Sequence, residues 1–201
     1  MSGIFNINDV KPKAIANNKA AVLRDNYLQM HDVRLQTLKE LAGRLPNTGE
    51  FFALWTQKSF NAFTFIPFLI KEAKIIDNLV VTTYSINSRI IDSLCKKLDD
   101  GAINKINLVV SDSLKNRMPT VVDHLEAMAA ARNRLQVHYS WNHSKITLAS
   151  AGGNNYVFEG SGNWSENAQF EQYLLFNHKP LFDFRLNCIQ DDLYRRTTPT
   201  S

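Results

Sequence analysis

Cysteine is scarce in this chain of 201 residues, which contains only Cys95 and Cys188. The two lie far apart in segments with helical patterning, and nothing in their spacing matches a set of metal ligands. The sequence therefore offers no cysteine-based zinc site. We predict two buried free thiols and a reducing compartment.

Long apolar runs are also missing. No stretch approaches the length of about 20 residues that a transmembrane helix requires, and the first residues lack the apolar core of a secretory signal. From these absences we expect a cytoplasmic protein without stable membrane association. Internal repeats are not visible either.

Neither sign of charge dominates the composition. The formal net charge is +4 at pH 7, with 44% hydrophobic and 21% charged residues. These are ordinary values for a globular protein and are sufficient to build an apolar core. The mild positive excess favours anionic partners such as nucleic acid or anionic lipid, although many enzymes share it.

Apolar periodicity suggests two parts. Over residues 15–45, apolar side chains recur at three- and four-residue steps, which predicts an amphipathic helix ended by Pro46-Asn47-Thr48-Gly49. We therefore divide the chain into an N-terminal tail and helix, residues 1–49, and one domain, residues 50–201. The helix packs on its own domain or, less favoured, forms a dimerisation arm.

The second part alternates between strand and helix patterns, which predicts an α/β sandwich with a mixed sheet. The predicted strands cover residues 50–56, 76–84, 104–111, 135–140, 141–149, 156–159 and 172–176. The predicted helices cover residues 60–74, with a kink or shortening at Pro67, and 87–99, 119–134 and 180–195.

Residues of types that could take part in catalysis are concentrated between Trp141 and Tyr173. In the predicted strand His143 and Lys145 point to one side, because side chains two residues apart share a face. The turn Gly160-Ser161-Gly162-Asn163 can add backbone N–H groups and a side-chain amide. A nucleophilic imidazole, a cation and amide donors are the groups needed to hold a phosphate and attack it.

The two motifs His143-Ser144-Lys145 and Gly160-Ser161-Gly162-Asn163-Trp164 together resemble the HxK…GSxN signature of the phospholipase D superfamily. The specific match spans residues 143–171, the general layout spans 51–195, and residues 82–112 look like the superfamily's first β-α-β unit. The resemblance implies a phospholipase D-like α/β/α sandwich, here preceded by a helical arm.

This chain departs from the superfamily pattern at two places. Ser150 stands where the family usually has an aspartate. The stretch before the Gly-Ser loop is also about three residues longer, and we assign the extra residues to a hairpin turn at 151–155. The family aspartate lies away from the phosphate, so either Ser150 is tolerated or the site is degenerate.

In this superfamily two HxK motifs meet at one active site, and this chain has one. The resemblance therefore implies a symmetric homodimer. One His143 would attack phosphorus and form a covalent phosphohistidine, while His143 of the second copy would protonate the leaving oxygen. Lys145 and Asn163 would bind the non-bridging oxygens, so neither a metal nor another cofactor is expected.

The same resemblance implies residues that support the site. A carboxylate should hold the other imidazole nitrogen, and we choose Glu171, which begins the next strand, with Glu166 as the fallback. Ser161 and the backbone N–H groups of Gly160 and Gly162 are expected to contact the phosphate or the groups that bind it.

Small superfamily members with one motif resemble nucleases more than lipid hydrolases. We therefore predict a metal-independent phosphodiesterase, foremost a DNA endonuclease with little sequence preference. The alternatives are a phospholipid hydrolase or transferase of the same fold and a catalytically weak protein that binds nucleic acid. Trp164 either lines the substrate groove or packs beneath the loop.

Overall fold

The computed structural model describes residues 29–35, 44–56, 61–165 and 170–197. The strands are β1 (Gln29–Leu35), β2 (Glu50–Thr56), β3 (Asn78–Thr83), β4 (Ile106–Ser111), β5 (Leu135–Ser140), β6 (Ile146–Ala151), β7 (Asn154–Gly160) and β8 (Gln172–Asn177). The helices are a 3₁₀ turn (Ala62–Thr64), α1 (Phe65–Ala73), α2 (Ser88–Asp99), α3 (Leu114–Arg117), α4 (Pro119–Ala130) and α5 (Lys179–Thr197).

The described strands form one eight-stranded sheet in the order β1-β2-β8-β7-β6-β3-β4-β5. The pairs β1/β2, β3/β4 and β4/β5 are parallel, and the remaining pairs are antiparallel. This confirms the predicted mixed sheet. It also defines a carboxyl edge, at which β2, β3, β4, β5 and β7 end and β6 and β8 begin.

Alternation along the strands divides the apolar residues between the two faces of the sheet. In β3, Leu79 and Val81 enter the larger core, which includes residues of α1, α2 and α4. Val80 enters a smaller core beneath α5, with Phe182 and Ile189. Helices thus cover both faces, and the predicted α/β/α layering is confirmed.

The predicted ends of α2 are confirmed by its capping contacts. The Asn87 side chain accepts a hydrogen bond from the backbone N–H of Ile90 at 3.0 Å, which satisfies a donor of the first turn. Gly101 follows the helix with φ +76°, in the left-handed region that favours glycine. Pro67 lies in the first turn of α1, where its missing N–H costs nothing.

The predicted hairpin turn is also present. Gly152 and Gly153 connect β6 to β7 with φ of +56° and +77°, and Ala151 pairs with Asn154. Positive φ at both central residues is typical of the type I′ turn, whose twist matches that of the strands. The strand before the turn begins at Ile146, however, and not at Trp141 as predicted.

The predicted N-terminal helix is wrong where the structure describes it. Residues Gln29–Leu35 form β1, which pairs in parallel with β2 from Gln29↔Glu50 to Leu35↔Thr56. The open edge of β2 offers unpaired backbone groups, and hydrogen bonds to them outweigh the helical periodicity. Residues 44 and 45 are also described and are not helical. The remainder of that helix prediction lies outside the described residues, and the division at residues 49/50 stays a prediction.

The structure also bears on the predictions for the two cysteines and for membrane-spanning helices. Both cysteines are free, but Cys95 is buried whereas Cys188 is exposed, so the prediction of two buried thiols is wrong for Cys188. In the described part of the chain, none of the helices combines the length and apolar character that crossing a membrane requires.

Candidate active site

The carboxyl edge places three predicted site segments side by side. Because Ile146 pairs with Glu159, Lys145 lies next to Gly160, whose N–H donates to the Lys145 carbonyl at 3.3 Å. On the other side, the Ser161 N–H donates to the Gln172 carbonyl at 3.1 Å. Open α/β sheets bind ligands at the carboxyl ends of their strands, so this edge is the expected place for a site.

His143 and Lys145 are in direct contact. The Lys145 Nζ lies 2.9 Å from His143 Nδ1 and donates to the His143 carbonyl at 2.8 Å. An ammonium group can only donate, so Nδ1 is the acceptor and Nε2 is left for another partner. The predicted pairing of imidazole and cation is therefore present, although it is made in the loop before β6 and not within a strand.

A short hydrogen-bond network holds that loop in place. The Asn142 Oδ1 accepts from the Ser144 N–H at 2.8 Å and from its hydroxyl at 2.6 Å. The Ser144 hydroxyl also lies 2.6 Å from Thr82 Oγ1, which accepts from the Ile146 N–H at 3.1 Å. The buried end of β3 thus fixes the residues on both sides of the motif.

Tyr84 and Arg117 join the site although sequence reasoning missed both. The Tyr84 ring centroid lies 4.6 Å from that of His143. The Arg117 guanidinium carbon lies 4.1 Å from the Tyr84 centroid, and Arg117 donates to the Tyr84 carbonyl at 3.0 Å. Tyr84 directly follows a buried strand, which is a usable signal; nothing in the sequence around Arg117 indicates its position.

Glu171 is fixed by both its side chain and its backbone. The Ser161 hydroxyl donates to Glu171 Oε2 and accepts from the Gln172 N–H at 3.1 Å. Thr56, at the end of β2, accepts from the Glu171 N–H at 2.9 Å and donates through its hydroxyl to the Glu171 carbonyl at 3.0 Å. Sequence reasoning missed Thr56, which contacts residues far from it along the chain.

Lys145 and Glu171 interact electrostatically at the edge. Burial lowers the pKa of Lys145 below its ordinary value of 10.5, and the nearby Glu171 carboxylate acts in the opposite direction. A cation that is partly removed from water interacts more strongly with an anion than one at the open surface. The edge can therefore bind a phosphate oxygen through Lys145.

Asn163 is placed differently from the other predicted residues. Its Oδ1 is buried and has no hydrogen-bond partner in the described part of the chain, while its carbonyl accepts from the Ala62 N–H at 3.2 Å. Trp164 is fully buried and its backbone N–H donates to Thr83 Oγ1 at 3.3 Å, so it packs beneath the loop. The fallback Glu166 lies outside the described residues.

Gly160 is required by the close approach of β8. A Cβ added at this position would lie 2.3 Å from the Gln172 carbonyl oxygen and 2.5 Å from Tyr173 Cδ1. Backbone and ring atoms at such distances leave no room for a larger residue. Gly162 is buried in the same loop. The absence of a side chain at Gly160 thus allows β7 and β8 to approach where Ser161 contacts Glu171.

The described residues contain no cluster of three or more histidine, cysteine, aspartate or glutamate side chains able to hold a metal ion. Beside the imidazole, a cavity of about 340 Å³ is lined by Tyr84, Ser111, Ser113, Trp141, Asn142 and His143. A second cavity of about 270 Å³ lies along Lys145, Gly160 and Gln172. The contact between His143 and Lys145 therefore has open space on two sides.

Comparison with known proteins finds no matching family model and no matching curated protein. Among solved structures, a polyphosphate kinase from Porphyromonas gingivalis is similar with a TM-score of 0.49 and 16% identity, over 70% of this chain and 26% of that chain. A phosphatidylserine synthase from Haemophilus influenzae Rd KW20 is similar with a TM-score of 0.45 and 12% identity, over 71% of this chain and 38% of that chain.

The chain thus spans well under half the length of both solved structures. Likenesses of this extent do not bear on the reaction, since one fold hosts many chemistries. The residues gathered at the carboxyl edge are therefore the evidence from which a function is proposed.

Proposed function

We propose that this chain is a metal-independent phosphodiesterase that cleaves DNA through a covalent phosphohistidine and acts as a homodimer. The observation that carries the proposal is the 2.9 Å contact between His143 Nδ1 and Lys145 Nζ, made at the carboxyl edge beside the Gly160-Ser161 turn and Glu171. A nucleophile and a cation beside open space, with a fixed carboxylate at the same edge, are parts that metal-free phosphoryl transfer needs.

In the proposed first step Lys145 leaves Nδ1 for the phosphate, the ring proton resides on Nδ1, and the free Nε2 of His143 attacks phosphorus. A P–N bond forms while a P–O ester bond breaks, and the leaving oxygen takes a proton from His143 of the second copy. In the second step that same His143 takes a proton from water, whose oxygen attacks phosphorus. The P–N bond breaks, and a phosphomonoester and the free His143 are released.

Lys145 and Asn163 are proposed to hold the phosphate during both steps. The Lys145 ammonium would turn from His143 Nδ1 to a non-bridging oxygen, which leaves Nδ1 free to carry the ring proton. The Gly160 N–H already donates to the Lys145 carbonyl, so the ammonium group is the donor proposed here, and donors aimed at developing charge are an effective form of transition-state stabilisation. Asn163 would add its amide, whose O and N assignments are interchangeable in a hydrogen-bond network.

Glu171 is proposed to orient an imidazole. Its carboxylate is held by the Ser161 hydroxyl, and its backbone is held by Thr56. A fixed carboxylate that accepts the Nδ1–H of a nucleophilic histidine selects the reactive tautomer and stabilises the charged form. In a two-fold dimer this carboxylate would serve His143 of the second copy.

DNA is the preferred substrate because of the cations next to the site. Lys115 and Arg117 are both exposed on α3, and Arg117 stacks on Tyr84, which contacts His143. Neither forms an ion pair with an acidic side chain in the described part of the chain. Such cations suit a continuous phosphate backbone, whose binding releases counterions.

One observation favours a second candidate, hydrolysis or transfer at a phospholipid headgroup. Trp55, Phe170 and Leu174 have exposed fractions of 50%, 63% and 38%. Trp55 lies on β2, Leu174 lies on β8, and Phe170 directly precedes Glu171. Exposed apolar side chains next to a phosphate site are a feature of proteins that approach lipid surfaces.

The test is cleavage of single- and double-stranded DNA in EDTA, from mildly acidic to neutral pH, by protein sized by light scattering. We expect wild type to cut and His143→Ala to lose activity by about 10³-fold or more. Phe184→Ala is the control, because it removes an exposed aromatic side chain on α5 away from the site.

Three results would overturn the nuclease proposal. A well-folded wild type that leaves all DNA intact would exclude it. Hydrolysis of phospholipid vesicles without cutting of DNA would favour the second candidate. Salt-sensitive DNA binding that persists in His143→Ala, with no turnover by wild type, would identify a binding protein.

A further inference from the structure

We propose that the cavity beside His143 is a nucleobase subsite, in which Trp141 stacks on the base next to the attacked phosphate and makes the chain prefer single-stranded DNA. The cavity is lined by Tyr84, Ser111, Ser113, Trp141, Asn142 and His143. The inference rests on the proposed function and goes beyond it, because it names which form of DNA the site takes and which residue selects it.

The first observation is the exposure of Trp141. Its exposed fraction is 79%, the highest of the large apolar side chains in the described part of the chain. It follows β5 directly and stands two residues before His143. An indole held in water loses the apolar burial that stabilises most tryptophans, so its position indicates a partner with a flat, apolar face.

The second observation is the shape and chemistry of the cavity. Its volume of about 340 Å³ is at the lower end of the range of about 300–1,000 Å³ for small-molecule sites. Trp141 and Tyr84 supply aromatic surface. The Ser111 and Ser113 hydroxyl groups lie 2.9 Å apart, and because one donates to the other, the pair keeps one donor and further acceptor capacity. These are the groups that suit one heteroaromatic ring with polar edges.

The third observation is the positive charge around the aromatic residues. Arg117 lies 4.1 Å from the Tyr84 centroid and donates to Ser113 Oγ at 3.3 Å. Lys115 Nζ lies 4.2 Å from the centroid of Tyr139. Cations interleaved with aromatic rings are typical of sites that track a single strand, with bases stacked and phosphates paired.

The expected preference for single-stranded over duplex DNA follows from the position of the bases in each form. In a duplex the bases are stacked and paired inside, so a base reaches Trp141 only if it leaves the helix at a cost in stacking and pairing energy. In a single strand the base is already accessible. An acyl chain would also fill an apolar cavity, but it would gain nothing from the hydroxyl groups or from the two cations.

The experiment measures binding by fluorescence anisotropy in EDTA, with all proteins carrying Glu171→Gln so that the DNA stays intact. The ligands are a labelled oligothymidylate of about eight nucleotides, an abasic strand of the same length and a duplex of the same length. The variants are Trp141→Ala, Trp141→Phe and, as the matched control, Phe184→Ala. Gel analysis after each titration verifies that the strands remain uncut.

We expect the parent protein to bind oligothymidylate more tightly than the abasic strand or the duplex. Trp141→Ala should weaken binding of oligothymidylate about tenfold, in line with the loss of one stacked base, and leave binding of the abasic strand unchanged. Trp141→Phe should retain most of the affinity, because phenylalanine keeps a stacking face. Phe184→Ala should bind like the parent, and thermal melting verifies that each variant folds.

Equal affinity for the abasic strand and oligothymidylate would overturn the subsite, and so would an equal loss on both strands in Trp141→Ala. Binding of phospholipid vesicles that depends on Trp141, with no effect on oligonucleotides, would also overturn it. Base-dependent binding by a wild type that cuts no DNA would support the subsite and reject the nuclease function, so the two failures are distinguishable.

Discussion

Among single residues, Lys145 has the charge on which the proposed chemistry depends most. Burial lowers its pKa below 10.5, while the Glu171 carboxylate raises it. The folded chain therefore releases this proton at lower pH than the unfolded chain does. Holding the charged form costs stability below the folded pKa, and that cost disappears as pH rises from the folded pKa to 10.5.

The first prediction concerns the alkaline limit of DNA binding. Only protonated Lys145 attracts a phosphate, so the affinity for DNA should fall as pH rises through a value below 10.5. Glu171→Gln removes the group that raises the pKa, and the fall should then occur at still lower pH. NMR titration of the Lys145 side chain measures both values, with Asp123→Asn as a control for loss of a distant carboxylate.

Two titration results would contradict this prediction. The first is a pKa of Lys145 at or above 10.5, and the second is a pKa of Lys145 that Glu171→Gln leaves unchanged. The second result would mean that the carboxylate does not act on the ammonium group.

The second prediction concerns Ser150, the position at which the motif resemblance led us to expect an aspartate. It lies near the far end of β6 and pairs with Asn155 and Asn78. At about 3.3 Å per residue, it is roughly 16 Å from Lys145 along the strand. Ser150→Asp should therefore change kcat by less than about twofold, because a charge at this distance is largely screened at physiological salt.

Initial rates of DNA cleavage at saturating substrate measure this effect. Ser150→Ala is the companion variant, because it tests whether the Ser150 hydroxyl affects kcat. A rise of tenfold or more in Ser150→Asp would show instead that the natural serine limits the reaction.

Among the secondary-structure elements, the junction between β3 and β6 decides where the HxK motif lies. Thr82 is buried at the end of β3. Its hydroxyl lies 2.6 Å from Ser144 Oγ and accepts from the Ile146 N–H at 3.1 Å. His143 and Lys145 are thus placed by a neighbouring strand and not by the regular geometry of their own.

The third prediction is that Thr82→Val destabilises the fold and misplaces the motif. The change keeps the shape, leaves the Ile146 N–H without an acceptor and removes one of the two partners of the Ser144 hydroxyl, at a cost of about 1–3 kcal/mol. Urea denaturation measures the free energy of unfolding, and kcat should fall as well. Thr147→Val is the matched control, since it alters a buried threonine of β6 whose hydroxyl forms no hydrogen bond in the described part of the chain.

Equal losses of stability in the two variants would contradict the role given to Thr82. An unchanged kcat in Thr82→Val, with the expected loss of stability, would mean that Thr82 stabilises the fold but does not place the motif.

At the scale of the whole molecule, one chain supplies half of the proposed machinery. Each chain has one HxK motif, and the proposed reaction needs one histidine as nucleophile and another as acid and base. A two-fold axis that brings two carboxyl edges together would complete the site.

The fourth prediction follows from that requirement. Wild-type protein mixed with an excess of His143→Ala, about tenfold, should lose activity per wild-type subunit after exchange, because mixed dimers have one histidine where two are needed. The measurement is the rate of DNA cleavage with DNA in excess. The same excess of Phe184→Ala should add activity. A chain that works as a monomer would show unchanged activity per wild-type subunit.

Some features of this protein follow from local sequence alone. The turn at Gly152-Gly153 was predictable, because two adjacent glycines tolerate the positive φ that a type I′ turn needs. The cap at Asn87 follows from the side-chain oxygen that satisfies the first turn of α2. The motif residues His143 and Lys145 were identifiable from their type and spacing.

Tertiary structure decided those features that depend on contacts between residues far apart in the sequence. Residues 29–35 form a strand because the open edge of β2 was available to them, although their periodicity favoured a helix. Tyr84 and Arg117 join the site because β3 and α3 end at the same edge of the sheet. Sequence specifies backbone preferences over a few residues, whereas pairing and packing join segments far apart along the chain, and they position the site.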